Sequence, residues 1–202
     1  MKTPNLFYSS AAISNKIYVI GGKSNGQSIN TVEYFEVEKM TWINGPKLLQ
    51  KIRSHDSIVV DGIIYAVGDL ESKKFQRLDE REGKWTFLPD ILNLTCNTAL
   101  SAFGQTLTCA GSWTAPSPGA VVNGISESFC QIYDIRNSKW NQMTKLVVPV
   151  WGAKSIENET SIFVAGGLNN LTIQEYNKNN KLWAILNIKL PSMKHRCSKI
   201  VL

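Results

Sequence analysis

The sequence is poor in the residues that catalysis and metal binding draw on: two histidines and four cysteines in 202 residues. A zinc or copper centre needs three or four His, Cys or carboxylate ligands at compatible spacing. His55 and His195 do not supply them, and both stand just before an apolar run, so their place in a repeat accounts for them. Cys96, Cys109, Cys130 and Cys197 form no CxxC pair, which points to free thiols rather than a zinc site or a disulfide framework. Only Cys197, beside His195, Arg196 and Lys199, has the basic neighbours that activate a thiolate. A nucleophile elbow, a phosphate-cradling GxxxxGK[ST] loop and a convincing pair of carboxylates are all missing. The expectation is a protein that is not an enzyme and holds no cofactor and no metal.

Long apolar runs are also missing. No stretch approaches the ~18 residues of a membrane span, and the opening MKTPNLFYSS has no apolar signal core, so the chain is expected to be cytoplasmic, with no membrane partner. Its three Asn-X-Thr sequons, at Asn93, Asn158 and Asn170, are then turn chemistry. The 22 basic residues outnumber the 16 acidic ones, but they are spread along the chain instead of gathered into a run with interleaved aromatics. That distribution argues against a nucleic-acid partner and for mild attraction to acidic ones. A hydrophobic content of 43% is ordinary for one globular domain.

What the chain does have is a repeat. IYVIGG (17–22) is echoed by IIYAVGD (63–69), TLTCAG (106–111) and IFVAGG (162–167). Each is a β-branched or aromatic run that stops at glycine, the mark of a strand ending. A second anchor follows: Trp42, Trp85, Trp140 and Trp183 recur at intervals of 43, 55 and 43 residues, near the period of propeller blades. Seven positions before each stands Phe35, Leu78, Tyr133 or Tyr176. Short alternating runs between the anchors predict a four-stranded antiparallel meander per repeat, with strands a to d. Asp61-Gly62 suits the tight type I′ turn of an a–b hairpin. The four tryptophans are read as core or inter-blade packing.

The repeats are placed at about 8–52, 53–95, 96–150 and 151–196, all in one domain, with residues 197–202 a partial fifth whose CSKIVL reads as one more strand a. Repeat three is long, because its b–c loop is drawn from 112 to 127, where two prolines and two glycines argue against regular structure. Trp113 stands at the base of that loop.

The glycine pair ending strand b, the aromatic in strand c and the Trp in strand d resemble the kelch repeat, and the resemblance covers nearly the whole chain. Asp69 replaces the second glycine in repeat two, Ala110 the first in repeat three, and Phe35 and Leu78 stand where Tyr is usual. The resemblance implies an all-β kelch-type β-propeller. Kelch propellers usually close with about six blades, so four blades plus one strand imply an incomplete or irregular ring. It also implies a protein-binding module: the substrate-recognition or adaptor part of a BTB-kelch protein serving a cullin-3 ubiquitin ligase, or alternatively an actin-binding or cytoskeletal scaffold. Nothing here resembles a BTB segment, so the chain is expected to hold a ubiquitylation substrate, or actin, without recruiting a cullin by itself.

A meander places the b–c loops and the d–a connections at one end, and the a–b and c–d turns at the other. The first end collects residues 23–28, 51–55, 69–73, 112–127, 169–170 and 194–196. Arg and Trp are the types enriched at binding hot spots. The candidate partner-binding residues are therefore Arg53, His55, Asp69, Trp113, Trp151, His195 and Arg196.

Overall fold

The computed structural model describes residues 1–114 and 124–192. Among these are eighteen strands and no helix, so none is long and apolar enough to cross a membrane. The chain divides into two compact units, Met1–Leu94 and Thr95–Leu202, and each holds two four-stranded sheets. The expected fifth strand a lies outside the described residues.

In the N-terminal unit, repeat one supplies β1 (Ser9–Ile13), β2 (Lys16–Ile20), β3 (Lys23–Ser24), β4 (Gln27–Ser28), β5 (Val32–Glu36) and β6 (Thr41–Asn44). The sheet order is β1-β2-β5-β6, and β3 and β4 form a separate ribbon in the b–c loop. That ribbon turns at Asn25-Gly26, with φ of 48° and 81°; it is too short for alternation to reveal it. Repeat two supplies β7 (Asp56–Val60), β8 (Ile63–Val67), β9 (Phe75–Asp79) and β10 (Lys84–Leu88), again paired in sequence. Asp61 and Gly62 take φ of 50° and 75° and set Val60 opposite Ile63, as the dipeptide predicts.

The C-terminal unit repeats the plan. Repeat three gives β11 (Ala99–Phe103), β12 (Thr106–Thr114), β13 (Ile125–Asp134) and β14 (Lys139–Met143); repeat four gives β15 (Lys154–Glu157), β16 (Ser161–Ala165), β17 (Thr172–Asn177) and β18 (Leu182–Lys189). Here one expectation is corrected. The segment 112–127 is regular at both ends, because Ser112, Trp113 and Thr114 pair with Glu127, Ser126 and Ile125. The ladder shifts register between Ala110 and Ser112, and Gly111 sits at that bulge with φ of 69°. A bulge carries the strand past the usual stopping point, and β-branched or aromatic residues on both sides keep the ladder going. Both prolines fall in 115–123, outside the described residues.

The seven-residue spacing of the anchors follows from the c–d turn. Phe35, Leu78, Tyr133 and Tyr176 are the register partners of Trp42, Trp85, Trp140 and Trp183, and the three aromatic pairs among them have ring centroids 5.0–5.5 Å apart. Three of the four tryptophans are buried. Trp42 is the exception, only half-buried and packed on Phe35. The core of each unit lies between its two sheets. In the first, Ala11, Tyr18 and Ile20 meet Ile64, Leu78 and Trp85; in the second, Ala99, Ala110 and Cys130 meet Ile162, Val164 and Trp183. The Trp85 indole N–H donates to the Pro46 carbonyl at 2.9 Å, and that of Trp183 to Thr144 at 3.0 Å. In each unit the second sheet is thus hydrogen-bonded to the chain leaving the first.

A polar clamp recurs two residues before each strand-c anchor, where Glu33, Gln76, Gln131 and Gln174 are all buried. Gln76 Oε1 accepts from Leu49 N–H at 2.8 Å. Gln174 accepts from Val148 N–H and donates to Val148 C=O, both at 2.9 Å. In repeat one Glu33 does the same work for the N-terminal arm, accepting from Lys2 N–H and Thr3 Oγ1 at 2.7 and 2.6 Å. Replacing a clamp leaves a buried amide without its acceptor, so Gln76→Leu is expected to cost about 1–3 kcal/mol in a urea unfolding curve. A change within experimental error would show that water substitutes freely for the side chain.

Candidate protein-binding surface

The meander order of every sheet puts b–c loops and d–a connections at one end. The chain there is tightly held. In the N-terminal unit Gly22 N–H donates to Ile52 C=O at 2.8 Å, and a Cβ on Gly22 would fall 2.7 Å from the Leu6 carbonyl, so the strand ends in glycine because another backbone crosses it. The next residue is fixed from the other side: Arg53 N–H donates to Asp69 Oδ1 at 3.1 Å. Asp69 thus replaces a repeat glycine with a side-chain acceptor for the same connection. In the C-terminal unit Leu168 N–H donates to Trp151 C=O at 3.1 Å, and Gly111 passes so close to Val150 that a Cβ would lie 2.4 Å from its carbonyl oxygen.

Counting back from each strand a exposes a second regularity. The residue two before the strand is Phe7, Ser54, Asn97 or Gly152, and all four are left-handed, with φ of 56°, 56°, 49° and 67°. Within each unit these positions are linked: Ser54 N–H donates to Phe7 C=O at 2.9 Å, and Gly152 N–H to Asn97 C=O at 2.7 Å. The residue before each is Leu6, Arg53, Cys96 or Trp151. Arg53 and Trp151 are therefore equivalent places in the repeat, each carried on a pinned backbone at the loop end.

The candidate residues divide between inside and outside. His55 is 6% exposed and Asp69 4%. His55 Nε2 lies 2.6 Å from Ser9 Oγ, which is itself 2.5 Å from Ser57 Oγ; burial drives the imidazole pKa down to about 3, so the ring is neutral. Burial raises the Asp69 carboxyl above its ordinary value, against the backbone N–H groups of Arg53, Leu70 and Glu71. Both side chains hold the connection and face away from solvent. Arg53 is only partly exposed, and its Nη2 pairs with Glu71 Oε1 at 3.2 Å. In the other unit Trp113 and Trp151 are half-buried with ring centroids 6.4 Å apart and planes tilted by 56°, and the Trp113 indole lies over Gly124. Arg53 lies on the N-terminal unit and the tryptophan pair on the C-terminal one. His195 and Arg196 lie outside the described residues.

Sequence reasoning left Leu6 and Phe7 ahead of repeat one, which begins at about residue 8, and gave Tyr8 no binding role. They stand at the loop end and are 64%, 39% and 45% exposed. No motif signals them; only the left-handed position that Phe7 shares with Ser54, Asn97 and Gly152 does. Charge also separates the two ends of the N-terminal unit. The arm, loops, connections and adjoining strand ends carry Lys2, Lys23, Lys47, Lys51, Arg53, Lys73 and Lys74 against Asp56, Asp69, Glu71 and Asp90, and Glu33 holds the arm. The opposite turns carry Lys16, Lys39, Arg81 and Lys84 against Glu36, Glu38, Asp61, Asp79, Glu80 and Glu82. Among the described residues no group of three or more His, Cys, Asp and Glu is placed to hold a metal ion. Among the described residues Cys96, Cys109 and Cys130 are buried and form no disulfide, and burial pushes the Cys130 thiol up to about 12.

Comparison with known proteins gives this architecture its class. Residues 4–49 match the family model described as Kelch motif. The chain is 25% identical to Kelch-like protein 41a of Danio rerio over 151 residues, 69% of this chain and 23% of that one. It is 26% identical to Kelch repeat and BTB domain-containing protein 2 of Ectromelia virus (strain Moscow), covering 78% of this chain and 31% of that one. Over 89% of its length it is 22% identical to Alpha-scruin of Limulus polyphemus, covering 20% of that protein. Among solved structures, "Structure of YjhT" superposes with a TM-score of 0.78 at 16% identity, over 96% of this chain and 73% of that one. Residues 4–49 carry a kelch motif, and the all-β fold resembles that of kelch propellers, with each four-stranded sheet one blade. More narrowly, the chain is similar to the propeller part of kelch-like proteins, and it spans roughly a quarter to a third of the length of the first two curated relatives above.

Proposed function

We propose that the chain is a protein-capture module, the substrate-recognition or adaptor part of a system related to cullin-3 BTB-kelch ligases, working in the cytoplasm. The observation that carries the reading is the loop end itself: Arg53 in one unit and Trp151 in the other occupy the same repeat position on a hydrogen-bonded backbone. Side chains pre-positioned in this way lose little freedom on binding, and loops on a rigid scaffold are where recognition resides. The similarity to a protein named for both kelch repeats and a BTB domain supports the ligase connection. Capture by an immobilised chain, followed by mass spectrometry of what is retained, tests it. Arg53→Ala or Trp113→Ala is expected to weaken capture by about 1–3 kcal/mol, while Lys39→Ala and Lys84→Ala on the opposite turns leave it unchanged. Co-sedimentation with filamentous actin is the arm that would move the reading to a cytoskeletal scaffold. Loss of capture on the Lys changes alone would place the surface at the other end.

A further inference from the structure

The two units share one plan, but the space between their sheets is filled with different chemistry. Register fixes the equivalent positions. Ala11 pairs with Tyr18 in repeat one, and Ser101 with Thr108 in repeat three. In the sheets that face them, Ser57 and Val59 pair with Ala66 and Ile64, while Ser155 and Glu157 pair with Val164 and Ile162. The N-terminal unit packs Ala11, Tyr18 and Val59 into its apolar cluster, and the Ser57 hydroxyl lies 2.5 Å from that of Ser9. The C-terminal unit puts Ser101, Thr108 and Glu157 at the places of Ala11, Tyr18 and Val59. Ser155 keeps the hydroxyl of Ser57 but loses its neighbour, because Ala99 stands where Ser9 does.

These four polar side chains lie on the facing sides of the two sheets. Ser101 Oγ donates across the gap to Glu157 Oε2 at 3.0 Å. Thr108 and Ser155 are the register partners of Ile132 and Val164, which pack in the core of this unit. Thr108 is 0% exposed and Ser155 1%, and the Glu157 side chain is 0% exposed. Yet Thr108 Oγ1, Ser155 Oγ and Glu157 Oε1 have no hydrogen-bond partner among the described residues. Lys178 Nζ stands 2.9 Å from Glu157 Oε1 as an ion pair, and its hydrogen bond goes to the Asn158 carbonyl at 2.6 Å. Buried oxygens left unpaired are costly, and three of them gather where one exchange also makes room: Thr108 lacks the ring that Tyr18 brings to the same place in the other unit.

We propose that the C-terminal unit binds water between its two sheets, as a small internal cluster hydrogen-bonded to Thr108 Oγ1, Ser155 Oγ and Glu157 Oε1. About three polar partners are what a buried water takes. The charges of Glu157 and Lys178 offset one another, so the site favours a neutral guest that both donates and accepts over an ion of either sign. Water is then a structural ligand of this unit, joining strands that the N-terminal unit joins through the side chain of Tyr18.

A crystal structure of the full chain near atomic resolution reads the site directly. Solvent density is expected within about 2.7–3.2 Å of each of the three oxygens. Stability provides a second reading. Thr108→Val keeps the shape and removes the hydroxyl, and Ser155→Ala removes the other; each is expected to lower the melting temperature by about 2–4 °C, because the bridging water loses a partner. In a dry site the same changes would delete an unpaired hydroxyl and raise the melting temperature. Hydroxyls turned onto protein acceptors with no solvent between the sheets, density that refines as a metal or halide ion, or a rise in melting temperature for both variants would overturn the proposal.

Discussion

Trp85→Ala is expected to destabilise the protein by about 3–5 kcal/mol, read as a shift in the midpoint of urea unfolding. The side chain is 3% exposed, it pairs across the ladder with Leu78, and it fills the core between the two sheets of the N-terminal unit. Its removal opens a cavity there and also frees the Pro46 carbonyl that the indole holds at 2.9 Å. Trp42 has the same place in its own repeat and faces Phe35 at 5.5 Å, but it is half-buried. Truncating it removes less buried surface, so Trp42→Ala is expected to cost less than about 2 kcal/mol. Equal losses at the two sites would mean that the packing between the sheets is not what stabilises this unit.

The second large effect is a pH dependence set by His55. Its ordinary pKa of 6.5 is lowered to about 3 in the fold, chiefly by burial. As pH falls below about 6.5 the unfolded chain takes up a proton at this site and the folded chain does not, so unfolding binds protons and acid destabilises the fold. The slope approaches about 1.4 kcal/mol per pH unit from this group alone. It ends near pH 3, where the folded form titrates as well. Carboxylates held low in the fold, such as Asp79 beside Arg81 at about 2, add their own acid loss only below their ordinary pKa. Between about pH 6.5 and 5 those carboxylates add nothing, and Asp69, raised by burial, acts in the opposite direction, so the imidazole is read from the difference between the wild-type chain and a His55 variant. His55→Gln, which keeps a polar partner for Ser9, is expected to remove the imidazole's slope there. Parallel curves for the two chains would show that His55 is protonated in the folded protein.

The strand plan was legible because two anchors per repeat fix it independently. The glycines mark where strand b meets a crossing backbone, and the aromatic–Trp spacing follows from register partners across a short turn, as in Tyr133 and Trp140. What stayed hidden depends on contacts far apart in sequence. Glu33, Gln76, Gln131 and Gln174 were in view two residues before each anchor, but a buried glutamine holding a backbone 26 residues upstream, as Gln174 holds Val148, reads in sequence as an ordinary strand polar residue. The left-handed positions were hidden for a different reason. Phe, Ser, Asn and Gly share no side-chain chemistry, so a conformational repeat left no motif. The same limit governs the candidate site. Chain order brought Arg53, His55 and Asp69 to the loop end, but the packing that turns His55 onto Ser9 and Asp69 onto the Arg53 backbone is set by neighbouring strands.

Amide hydrogen exchange on the chain, free and bound to a captured partner, tests most directly the claim that recognition lies at the end carrying the b–c loops and d–a connections. The expected result is added protection at residues 21–31, 45–55 and 68–74 of one unit or 144–153 and 166–171 of the other. Protection confined to the turns at 14–16, 36–41, 61–62 and 79–84 would contradict it.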